Sequence, residues 1–142
     1  YTIMILSDHF ISLNIKLTSI FRILANQYSL SYSQYCILMK IDSSGISMSE
    51  LANVLGLDKS TLTRNIDVLL NRDLVDKFQD QDDLRVYKVI LSDEGEQIKK
   101  HLYAKLDYFT SELLASLDNN IQNEIYLLDK LVQKLDSHEI LQ

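Results

Sequence analysis

The chain has no proline, no tryptophan, three glycines and one cysteine in 142 residues. Without proline nothing breaks a helix outright, and few glycines leave few cheap sites for left-handed turns. Both shortages suit a chain built of long helices. A single cysteine excludes an internal disulfide and fits a reducing compartment, so a cytoplasmic location is expected. No apolar run approaches the roughly 20 residues of a membrane span. The opening Tyr1-Thr2-Ile3-Met4-Ile5-Leu6 is apolar but short and lacks a basic flank, so no secretory signal is expected. His9, His101 and His138 are scattered, and no phosphate loop, nucleophile elbow or His-x-x-x-His pair occurs. Neither an enzyme, a metal site nor a cofactor is expected.

Positive charge is also scarce. There are 14 Lys and Arg against 20 Asp and Glu, a net charge of −6. Residues 46–92 hold six bases and eight acids, and residues 93–142 hold five bases and ten acids. Any contact with a polyanion must therefore depend on where a few cations point.

The length and the 46% hydrophobic content fit one domain with a real core. Ile3, Leu6, Phe10, Leu13, Leu17, Ile20 and Leu24 alternate spacings of three and four. They lay an apolar seam along a helix over 3–24, wide enough to suggest burial against a second subunit. Ser31-Tyr32-Ser33-Gln34 is a capping box opening a helix that is apolar nearly all round, closed by the turn Asp42-Ser43-Ser44-Gly45. Ser47-Met48-Ser49-Glu50 opens a short helix with Leu51, Val54 and Leu55 inward. Gly56 ends it, and Asp58 caps the next, over 59–72. Ala52, Gly56 and Leu62 stand at helix-turn-helix spacing.

The 59–72 helix turns Leu62, Ile66, Leu69 and Leu70 inward and presents Ser60, Thr61, Arg64, Asp67, Val68 and Asn71 on its other face. Short hydroxyls can bond phosphates or base edges, and arginine pairs bidentately with guanine, so this helix suits a major groove. Val75–Phe78 and Val86–Leu91 then read as a hairpin wing with a polar tip at 79–85. Ser92-Asp93-Glu94-Gly95 opens a helix running to about Leu117. After a break at Asp118-Asn119-Asn120, a last helix carries Ile121, Ile125, Leu128, Val132 and Leu135 inward. The expected fold is mainly α with a small β-hairpin wing.

The run from Ser31 to Gly95 resembles the MarR family of bacterial transcription regulators. The resemblance rests on Ser31 and Gln34, on Ser60-Thr61-x-Thr63-Arg64, on Ile66, Asp67, Leu69 and Leu74-Val75, on Asp83-x-Arg85, and on Leu91-Ser92-x-x-Gly95. It implies a single MarR-like domain over 1–142. A winged helix-turn-helix lobe at 31–92 would bind DNA, and 1–30 and 93–142 would supply dimerisation helices. It further implies a homodimeric regulator, taken here as a ligand-responsive repressor, on the double-stranded DNA of a pseudo-palindromic operator. A small phenolic or lipophilic effector would relieve binding in many members, and no membrane partner is implied. The expected DNA-binding residues are Lys59, Ser60, Thr61, Thr63, Arg64, Arg85 and Lys88. By analogy Arg85 enters the minor groove with Asp83 bracing it. Asp82 departs from the family, where a basic residue often precedes Asp-x-Arg. The acidic balance supports one rival reading, a winged-helix protein-interaction module without DNA binding. Two further alternatives are weaker. The acidic tip lacks the glycine and terminal glutamate of a calcium loop. Cys36 lies near a helix start but on an apolar helix, which favours burial over redox sensing.

Overall fold

The computed structural model describes residues 2–117 and 121–137. The elements run α1 (Thr2–Asn26), α2 (Tyr32–Lys40), β1 (Ile46–Ser47), α3 (Met48–Leu55), α4 (Lys59–Asn71), β2 (Val75–Gln79), β3 (Tyr87–Leu91), α5 (Asp93–Ala115) and α6 (Ile121–Ser137). They fall into two compact units, Tyr1–Tyr103 and Ala104–Gln142, with α5 running through both. The expected break at Asp118-Asn119-Asn120 and His138 lie outside the described residues.

Capping chemistry sets the helix starts in the first unit. Ser31 Oγ accepts the Gln34 N–H at 3.2 Å while Gln34 Oε1 accepts the Ser31 N–H at 3.0 Å, a complete reciprocal cap. Ser47 Oγ accepts the Glu50 N–H at 3.1 Å. At the start of α5, Ser92 Oγ accepts the Gly95 N–H at 3.0 Å and donates to Asp73 O at 2.6 Å. Gly95 is required by contact and not by dihedral angle, for a Cβ there would lie 2.0 Å from Leu74 O. The bare backbone of α5 thus presses on the turn that leaves α4.

Helix ends are made with little glycine. Gly56 ends α3 in the left-handed region at φ 62°, but Ser29 (φ 53°) and Asp73 (φ 55°) take the same conformation after α1 and α4. Each is followed by a six-to-one hydrogen bond: Leu30 N–H to Ala25 O and Leu74 N–H to Leu69 O, both 3.0 Å.

The core of this unit gathers Ile37 and Leu38 from α2, Ile41 just after it, Leu51 from α3, and Leu62, Ile66 and Leu69 from α4. Leu74, Val75, Val89 and Leu102 close it. Lys99 Nζ donates from α5 to the carbonyl of Ile41, the residue whose N–H caps the end of α2 by bonding to Ile37 O. Val54, expected inward, is 47% exposed. The sheet has three antiparallel strands in the order β1-β3-β2, where the sequence suggested a hairpin alone. The extra strand pairs Ile46 with Val89 and Ser47 with Lys88. Two residues are too few for an alternating pattern. The expected hairpin is present, with Lys77 opposite Val89 and Gln79 opposite Tyr87.

Large apolar side chains remain exposed in each unit. Along α1, Leu6, Phe10, Leu13 and Leu17 are uncovered. In the second unit, Leu113, Leu117, Ile125, Leu128, Val132 and Leu135 are likewise uncovered.

Candidate nucleic-acid interface

Recognition chemistry at α4 begins with its cap. The Asp58 carboxylate accepts the Thr61 N–H at 2.9 Å, the Ser60 hydroxyl at 2.6 Å and the Thr61 hydroxyl at 2.6 Å. These bonds, led by the one from Ser60, hold its carboxyl well below the usual carboxylate range. The Thr63 hydroxyl donates to Lys59 O at 2.8 Å. All three hydroxyl protons are therefore engaged within the protein. What Ser60, Thr61 and Thr63 offer outward is lone pairs, suited to the amino groups of adenine or cytosine. Lys59 and Arg64 are exposed on the same helix.

The wing tip is ordered by its acids. Asp80 accepts the N–H groups of Asp82 (2.9 Å) and Asp83 (3.1 Å) and pairs with the Lys88 ammonium. The Lys88 bond and those amides lower the Asp80 pKa. Asp83 holds the Arg85 guanidinium in a two-pronged contact, Nε to Oδ1 and Nη2 to Oδ2, each 3.0 Å. The Arg85 side chain is nonetheless 90% exposed. Two of the acids that invited a calcium reading, Asp80 and Asp83, are thus turned to nearby amides and cations, while Asp82 is exposed. Among the described residues, no group of three or more His, Cys, Asp or Glu could hold a metal.

A cleft of about 300 Å³ separates the start of α4 from the wing, and Lys59, Thr63 and Arg85 meet around it. Lys77 and Tyr87 complete the wing side, the Lys77 ammonium lying 5.0 Å from the Tyr87 ring centroid. Lys77 was not among the expected residues. Its signal was strand parity: it shares the inner face of β2 with buried Val75, an odd place for a cation. Ser60 and Thr61 are gathered at Asp58, and Arg64 stands on α4 apart from the residues lining the cleft. Lys88, also among the expected DNA-binding residues, pairs with Asp80.

Cys36 is half-buried on α2, and burial pushes its thiol pKa up, partly offset by a hydrogen bond with Tyr32.

The sequence profile of the MarR family matches residues 30–87. The HTH-type transcriptional regulator YhbI of Bacillus subtilis is 32% identical over 110 residues, covering 69% of this chain and 70% of the relative. The chain belongs to the MarR family. Solved MarR-type structures share its fold. NadR in complex with 4-hydroxyphenylacetate superposes with a TM-score of 0.79 at 21% identity, covering 92% of this chain and 91% of that one. A cysteine-to-serine mutant of MarR from E. coli, complexed with operator DNA, gives a TM-score of 0.73 at 24% identity, covering 94% of each chain. This MarR-family transcriptional regulator therefore carries the family's winged helix. Among its described residues, no helix is long and apolar enough to cross a membrane.

Proposed function

We propose that this MarR-family protein binds duplex DNA sequence-specifically as a homodimer and represses transcription from a pseudo-palindromic operator. The observation that carries the reading is the pairing of an exposed polar α4 face, bearing Arg64, with a wing whose tip presents a braced Arg85. In this reading α4 enters the major groove, with Arg64 on guanine and the lone pairs of Ser60, Thr61 and Thr63 on amino groups. Arg85 enters the minor groove, while Lys59 and Lys77 neutralise phosphates. Residues 31–92 bind DNA, and 1–30 and 93–142 dimerise.

The exposed apolar faces support dimerisation. Burying one leucine side chain is worth roughly 1.5–3 kcal/mol, and Leu6, Leu13, Leu17, Leu128 and Leu135 are all uncovered in the single chain. The two recognition helices of a dimer would then meet half-sites about 34 Å apart. A phenolic or lipophilic effector is proposed from the neighbour NadR, solved with 4-hydroxyphenylacetate.

Footprinting on the DNA upstream of the gene, with and without candidate phenolics, tests the reading. Protection of two half-sites one turn apart, lost with an active phenolic, is expected. Full-strength protection with every phenolic tried would contradict control by a phenolic effector. Absence of any protected site would contradict binding to an upstream operator.

A further inference from the structure

Arg72 is the C-cap of α4, at the end opposite the proposed DNA-reading residues. Its side chain folds back onto the end of α1, Nη1 donating to Ser29 O and Nη2 to Tyr28 O, both at 2.8 Å. Those carbonyls belong to the left-handed turn that closes α1, where a helix leaves acceptors unpaired and its dipole places partial negative charge. Asp93 and Glu94 line the same cleft, yet the guanidinium is committed to the two carbonyls. The joint therefore links two turns of the same form, one after α1 and one after α4, through a planar fork that loses little freedom in binding.

We infer that Arg72 is a positioning residue for DNA reading. It registers α4 to α1 and so, in the dimer, sets the distance between the two recognition helices. The 13 residues of α4 span about 20 Å at 1.5 Å per residue. A small tilt at the Arg72 end is thus magnified at the Ser60–Arg64 end. Since α1 carries one of the exposed apolar faces, the joint connects the proposed dimer contact to the proposed groove contact. The inference rests on the DNA-binding homodimer proposed above.

The test uses the full chain and a duplex selected by the wild type from a random pool, with its half-site separation then changed by one base pair either way. A hydrogen bond from a charged donor is worth about tenfold in an equilibrium. Wild type should prefer the selected separation, and in Arg72→Ala that preference should shrink about tenfold. Arg72→Lys, able to reach one carbonyl, should fall between. If Arg72→Ala does not fold, Arg72→Lys decides alone. A folded variant whose affinity falls equally at all separations, or not at all, overturns the inference, because a merely stabilising residue leaves the ratio unchanged. A wild type that selects no pair of half-sites contradicts the proposed function instead, before any Arg72 variant is made.

Discussion

The Asp83 carboxylate holds Arg85 at three points, accepting its backbone N–H at 3.0 Å as well as the two guanidinium bonds. An acid beside DNA repels phosphate, but this one also fixes the direction of the cation next to it. The two roles separate on mutation. Asp83→Ala should tighten binding to random DNA and weaken binding to the operator. Arg85→Ala should weaken both and reduce the salt slope by about 0.9. Fluorescence anisotropy across a salt series checks this. Asp83→Ala improving both affinities would show that the brace has no directional role.

Asp80 and Asp82, one residue apart across Gln81, have different duties. Asp80 is paired with Lys88 and accepts two amides, whereas Asp82 is exposed. Asp82→Arg should therefore tighten operator and random DNA alike and steepen the salt dependence, with the fold intact. Asp80→Ala should loosen the tip, seen as faster amide exchange over 80–86. Unchanged affinity and slope in folded Asp82→Arg would place position 82 away from the duplex.

Two backbone sites predict opposite changes in stability. At Gly95 a methyl would strike the Leu74 carbonyl, so Gly95→Ala should destabilise by about 3 kcal/mol. Asp73 is strained by its left-handed turn, and Asp73→Gly should recover about 1 kcal/mol. Urea denaturation reads both. A neutral Gly95→Ala would mean that α5 does not press on the α4 turn.

Much of this was legible in the sequence, and the gaps have physical causes. The Ser31 cap, the Asp58 cap, the buried side of α4 and the hairpin follow from local spacing, because each is decided by residues within a few positions. The motif Leu91-Ser92-x-x-Gly95 was also visible, but not why it needs glycine, since the clash partner Leu74 comes from another element. β1 escaped because its two residues make sense only opposite β3. Lys77 and the engagement of Lys88 depend on how strands bring distant side chains together. The Arg72 joint crosses more than 40 positions, beyond the reach of any periodicity.

Cys36 should be inert. Its thiol is half-buried with a raised pKa, and the thiolate is the reactive form. Cys36→Ser should leave DNA binding and its response to peroxide unaltered. Wild type released from DNA by peroxide, with the serine variant insensitive, would make Cys36 a redox sensor.

The most direct measurement is the affinity of the intact protein for a duplex it selects from a random pool, against a scrambled duplex of equal length and composition at one salt concentration. Specific recognition predicts a preference of about a thousandfold or more. Arg64→Ala should cost about 1–3 kcal/mol on the selected duplex while remaining folded. Equal affinity for the selected and scrambled duplexes, or binding to neither, would contradict sequence-specific DNA recognition and return the chain to the rival reading of a winged-helix protein-interaction module.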